Sequence, residues 1–160
     1  MKIRFKTNGY TLIELLISMT IIGIITSVVV INVQKISTDY TFDMYSLNLV
    51  NDIRMLQEKS VSNSNKSYSM ILRNDGYDLK ENMTKFKKVK LKSQFILVDK
   101  SNQGFKDKDI RFRYDGGINC SSDGITIFVK NINGRKYRKI TIAAIGERVK
   151  LYDEKSKNIY

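Results

Sequence analysis

The chain has 160 residues, 42% hydrophobic and 28% charged, with a formal charge of +12. That length holds one domain with a modest core and leaves no room for a second full one. The single cysteine, Cys120, excludes an intrachain disulfide, and the absence of histidine removes the commonest general base and metal ligand, so neither an enzyme nor a cofactor is expected. The positive charge admits a nucleic acid or an anionic membrane surface as partner.

In chain order, Lys2, Arg4 and Lys6 precede an apolar run over 10–31, YTLIELLISMTIIGIITSVVVI, in which Glu14 is the only charge. As a helix this run rises roughly 33 Å, the length of a bilayer span. The basic residues before it place the N-terminus in the cytoplasm and the bulk of the chain outside. An ordinary secretory signal fits poorly: its apolar region is shorter, with a cleavage site after it, whereas the junction Asn8-Gly9-Tyr10 lies before this run. A plain single-span anchor leaves Glu14 unexplained, because an acidic side chain at the centre of a span costs about 2.5 to 3.5 kcal/mol.

The segment from Gly9 through Tyr10, Thr11, Leu12, Ile13, Glu14 and Leu15 to Met19 resembles the prepilin signature of type IV pilins and type II secretion pseudopilins. The resemblance implies cleavage between Gly9 and Tyr10 by a prepilin peptidase and N-methylation of Tyr10, where phenylalanine is usual. It also makes Glu14 the fifth mature residue, the position of the family's glutamate. The implied role of Glu14 is assembly: it neutralises the terminal amine of an adjacent subunit where helices pack in a low dielectric. The alternative places Glu14 at the interface, reaching headgroup water.

Beyond the run, Val33, Ile36, Tyr40, Met44, Leu47, Val50, Ile53 and Leu56 recur three or four residues apart. They predict an amphipathic helix over 32–63 whose apolar face packs on the domain, ending near Ser60 to Asn65. Asp43, Asp52 and Glu58 on this helix read as solvated charges. From about residue 64, short β-branched and aromatic runs (SYSMILR, YDLK, QFILV, IRFRY, ITIFV, RKITIAA) predict strands. Asn74-Asp75-Gly76, Asn131-Ile132-Asn133-Gly134 and Asp115-Gly116-Gly117 predict turns. The fold class is α+β: a long N-terminal helix, transmembrane and then amphipathic, packed against a mainly antiparallel β-sheet domain. The expected organisation is a leader at 1–9, an assembly helix at 10–31, an amphipathic helix at 32–63 and a β-rich domain at 64–160. The stretches around Ile110 to Gly117, Ile125 to Val129 and Arg138 to Val149 are similar to the C-terminal part of GspH/FimT-type minor pseudopilins.

Two basic groups remain, Lys85, Lys87, Lys88, Lys90 and Lys92, and Arg135, Lys136, Arg138 and Lys139. Interleaved aromatics such as Phe112, Tyr114 and Tyr137 suit single strands. Lys85, Lys87, Lys88, Lys90, Arg135, Lys136, Arg138 and Lys139 are thus candidate DNA contacts. The competing reading is a solvated strand face, or an edge that lysine protects from pairing with other sheets. The family resemblance implies a minor pilin or pseudopilin, a subunit of a type IV pilus or a type II secretion-like pseudopilus. Its implied partners are other pilins, the prepilin peptidase, the membrane, and an assembly platform with its ATPase. The alternative is a surface DNA-binding competence pilin. The implied location is a single-pass cell membrane protein that becomes part of a surface filament.

Overall fold

The computed structural model describes residues 11–120, 124–132, 136–146 and 148–155, with side chains described at all of these except 28–32, 35 and 153–155. The chain divides into two compact units, Met1–Thr41 and Phe42–Tyr160. Helix α1, Leu12–Ser62, begins in the first and ends in the second.

Thr11 sets the start of α1: its Oγ1 accepts the Glu14 N–H at 3.3 Å, as an N-cap threonine does with a glutamate three residues on. The helix ends at Ser62, where Ser62, Asn63, Ser64 and Asn65 offer turn-forming side chains and no apolar group, within the range the sequence predicts. The first unit has its described large apolar side chains in the open, from Ile17 and Ile21 at 52% exposure to Leu12 at 83%.

The predicted apolar stripe holds only at its C-terminal end. Val50, Ile53 and Leu56 are buried, but Val33, Ile36, Tyr40, Met44 and Leu47 are exposed, and the buried face continues backwards through Leu49, Ser46 and Phe42. The reason is geometric. Four successive three-residue steps from Met44 to Leu56 fall short by about 240° in total at 3.6 residues per turn, so these residues do not share a face. Phe42, Ser46, Leu49, Ile53 and Leu56, spaced by alternating fours and threes, do.

Among the described residues of the second unit, the strands form two four-stranded antiparallel sheets, where the sequence suggests a single sheet domain. The strands are β1 (Tyr68–Arg73), β2 (Gly76–Glu81), β3 (Thr84–Lys90), β4 (Phe95–Val98), β5 (Lys108–Phe112), β6 (Ile125–Asn131), β7 (Lys136–Ile142) and β8 (Val149–Lys155). The sheet orders are β3-β2-β1-β5 and β4-β6-β7-β8. Period-two alternation turns Tyr68, Met70 and Leu72 of β1, and Ile140 and Ile142 of β7, into one core with the buried face of α1. Phe95 of β4 meets both Phe42 and Tyr45 of the helix, with ring centroids 5.8 and 5.5 Å apart.

Two turns follow their sequence signals. Asn74 and Asp75 form the two-residue link of the β1–β2 hairpin, in which Arg73 pairs with Gly76. Asp115 caps its own turn by accepting the Gly117 N–H at 2.9 Å, and Gln57 and Ser60 of α1 donate to the Gly116 and Arg113 carbonyls. In the third, Ile132 of the β6–β7 link is described, while 133–135 lie outside the described residues.

Candidate functional site

The predicted processing residues Gly9 and Tyr10, and with them the leader at 1–9, lie outside the described residues. Glu14 is described: it sits in the first turn of α1, exposed, where the helix dipole favours a carboxylate. Leu12, Ile13, Leu15, Leu16, Ile17 and Met19 surround it on every side of the helix, and each is more than half exposed. A helix that is apolar all round has no face suited to water.

The polar side chains in this stretch are satisfied within the helix. Ser18 Oγ donates to the Glu14 carbonyl at 2.8 Å, Thr26 Oγ1 to that of Ile22 at 2.7 Å and Ser27 Oγ to that of Ile24 at 2.7 Å, while Thr20 donates to Leu16. Such back-bonding lets hydroxyls enter an apolar medium without losing water bonds. Glu14 is therefore the one group at 12–27 whose charge the helix itself does not neutralise. Thr11 is the functional residue that reading for charge and hydropathy misses; the T-x-x-E spacing ahead of an apolar run was its signal. Among the described residues no helix is long and apolar enough to cross a membrane.

The two basic groups sit on different sheets. Lys85, Lys87, Lys88 and Lys90 belong to β3, an outer strand of its sheet, whereas Lys136, Arg138 and Lys139 belong to β7, flanked by β6 and β8; Arg135 lies outside the described residues. In β3 a bulge further divides the lysines. Lys87 lies opposite Leu79 and Lys85 opposite Lys80, leaving Phe86 as the extra residue, so Lys85 and Lys87 take opposite faces despite their spacing of two.

Each of these two meets a buried carboxylate. Lys87 Nζ reaches Asp52 of α1 at 2.6 Å, and Tyr77 Oη donates to the same carboxylate at 2.8 Å. Burial, with Asp52 beside it, pushes the Tyr77 phenol above its usual range. Asp52 is 6% exposed, so the expectation of a solvated charge is overturned: the helix turns it inward against β2 and β3. Lys85 Nζ lies 2.8 Å from Asp78, which also accepts Arg73 Nη2 at 2.7 Å. The Arg73 guanidinium outweighs the desolvation of this fully buried carboxylate and pulls its pKa down to about 2.

In the second group, Arg138 pairs with Asp43 of α1 at 2.8 Å and Lys139 lies over the Tyr152 ring at 5.3 Å. Lys85, Lys87 and Arg138 are thus engaged by carboxylates of their own chain, and the structure does not gather the seven described candidates into one basic surface.

Residues 4–30 match the prokaryotic N-terminal methylation motif. No curated protein matches the chain by sequence. Its fold is similar to that of the type IV minor pilin FimU of Pseudomonas aeruginosa in two crystal forms. In the P21 form the TM-score is 0.59 at 12% identity, covering 78% of this chain and 98% of FimU. In the P65 form it is 0.55 at 12% identity, covering 74% and 99%. The chain is type IV pilin-like in its N-terminal motif and in its α+β fold.

Proposed function

We propose that the chain is a minor pilin or pseudopilin, a structural subunit of a type IV pilus or of a type II secretion-like pseudopilus that performs no chemistry of its own. The observation that carries this reading is the all-round apolar helix at 12–27 with Glu14 as its single charge, inside the stretch that matches the methylation motif. Exposed apolar surface on this scale needs a cover. Before processing the cover is the membrane, spanned by 10–31 with the N-terminus in the cytoplasm. After a prepilin peptidase cuts between Gly9 and Tyr10 and Tyr10 is methylated, the cover is the helices of other pilins, delivered by an assembly platform and its ATPase.

In that packing Glu14 pairs with the terminal amine of a neighbouring subunit, where low dielectric strengthens the pair and makes either charge alone costly. The organisation into leader (1–9), assembly helix (10–31), amphipathic helix (32–63) and globular domain (64–160) follows from the same reading. Lys85, Lys87 and Arg138 each face a carboxylate of their own chain, so the structural role is preferred over the DNA-uptake role.

The test is to express the Glu14→Leu variant beside its partner pilins and assay sheared surface filaments for it. Mass spectrometry of the N-terminus reports processing. Loss from filaments with cleavage and methylation intact is the expected result. Incorporation at the wild-type level removes the assembly role of Glu14, and an uncleaved wild-type chain in its host removes the reading altogether.

A further inference from the structure

On the face of the first sheet that carries Asp78, cross-strand pairing sets Arg73 opposite Gly76 and Gly76 opposite Lys90, so one row across three strands reads Arg, Gly, Lys. Residues directly opposite share a face of the sheet, and a glycine between two long cations leaves a hole in the row. Glycine is required at this position, because a Cβ on Gly76 would lie 2.1 Å from the Val89 carbonyl oxygen in the backbone of β3. Lys88, opposite Asp78, adds a third cation one pair along. The result is an open-sided recess of about 190 Å³ lined by Arg73, Asp75, Gly76, Lys88, Val89 and Lys90.

Among the described residues the two lysine charges are unpaired, and the arginine keeps one nitrogen. Arg73 uses Nε on Asp107 and Nη2 on Asp78, which leaves Nη1. Among the described residues, neither the Lys88 nor the Lys90 ammonium has an ion-pair or hydrogen-bond partner, and the Asp75 carboxylate has none either. Asp78 is already held by Arg73 and Lys85 and does not serve Lys88. Like charges gathered on one face repel, and an anion between them offsets that repulsion. Three cationic groups around a hollow suit the oxygens of a phosphate. The one carboxylate at the rim, Asp75, repels a bare anion but accepts a hydrogen bond from a hydroxyl beside it. The volume equals about six waters at ~30 Å³ each, and falls below the ~300 Å³ at which pockets for larger ligands begin.

We propose that this recess is a binding site for a polyol phosphate, with Lys88, Lys90 and Arg73 holding the phosphate and Asp75 accepting from a neighbouring hydroxyl. The site lies within the second unit and does not depend on the filament reading. Its ligand is either a free monoester or the diester link of a polymer, and the two are separable by their probes: sn-glycerol 3-phosphate for the first, glycerophosphoglycerol for the second.

The experiment is an amide NMR titration of the full chain in detergent micelles with each probe and with inorganic phosphate, at fixed low salt. The expected result is a dissociation constant on the order of 1 mM for one of the two polyol probes, with shifts confined to the amides around 73–76 and 88–90. Lys88→Gln with Lys90→Gln weakens that probe at least about fivefold, whereas Lys150→Gln, an exposed lysine on the other sheet, changes it less than about twofold. Asp75→Asn separates a site from a patch: it tightens inorganic phosphate and leaves the polyol phosphate no tighter. These lysines are exposed, so an unchanged amide spectrum verifies the fold of each variant. Equal effects of all three lysine substitutions, or Asp75→Asn tightening every anion alike, overturns the proposal in favour of diffuse attraction. Duplex DNA binding that depends on Lys88 and Lys90, with no response to either polyol probe, overturns it in favour of nucleic acid.

Discussion

Two stretches of α1 use nearly the same residue types to opposite ends. At 12–27, leucine and isoleucine occupy every side of the helix and all are exposed. At 42–60, Phe42, Leu49, Val50, Ile53 and Leu56 occupy one face, all 4% exposed or less, whereas Asn48, Asn51, Arg54 and Glu58 are exposed together with Met44 and Leu47. What differs most is the azimuth of the apolar residues: a stripe is matched to one partner surface, and a full apolar circumference to a surrounding medium. The polar groups follow the same division. Hydroxyls of the first stretch bond back to their own helix, whereas Asp52, Gln57 and Ser60 of the second reach into the strands and turns of the domain.

The sharpest way to break this contrast is to shorten one isoleucine in each stretch. Ile53→Ala, at a site with no exposure, should cost about 3 to 4 kcal/mol of domain stability, while Ile24→Ala should leave it unchanged. Urea unfolding of the full chain in micelles, followed by near-ultraviolet dichroism of the buried tyrosines, measures both. Equal losses would end the distinction.

Next in size is the carboxylate that ties three strands together. Asp78→Ala should cost about 3 kcal/mol, because Arg73 and Lys85 lose the buried partner they share. The same group sets an acid limb. Its folded pKa lies below the unfolded one, so its contribution is present above about pH 4 and is lost as pH falls toward about 2. That loss amounts to about 2 kcal/mol for a shift of this size, and the Asp78→Ala variant should lack it in urea titrations at pH 5 and pH 2.5.

The smallest effects separate lysines that look alike in sequence. Lys87→Gln should cost about 1 kcal/mol, since Asp52 keeps Tyr77 but loses its cation. Lys88→Gln, with no carboxylate partner among the described residues, should stay within about 0.5 kcal/mol in the same urea assay. Equal costs would mean that the bulge at Phe86 does not sort the lysines as the register indicates.

Much of this molecule is legible in residue order because the relevant physics is local. The start of α1 follows from Thr11 three residues before Glu14, its end from the polar residues after Ser62, and the β1–β2 hairpin from Asn74-Asp75-Gly76; each depends on chemistry within about four positions. The apolar length and lone charge of the N-terminal run are equally local, which is why the pilin-like motif is visible without coordinates. Strand β3 is less plain, because an exposed outer strand carries lysine at four of its seven positions and hides the two-residue period. The predicted stripe departs from the buried face because successive spacings of three drift about 60° per step around the helix, and only the packed surface selects which arc is covered.

Residue order alone carries the anchor-like run, the α+β class and most strand positions, since propensity, patterning and turn chemistry are properties of neighbours along the chain. It took the folded arrangement to divide the strands into two sheets, to bury Asp52 and Asp78, and to split lysines one or two residues apart between a buried carboxylate and an open recess. Those outcomes depend on register and on partners as far as Arg138 is from Asp43. No local pattern encodes which distant charge a folded chain will place opposite.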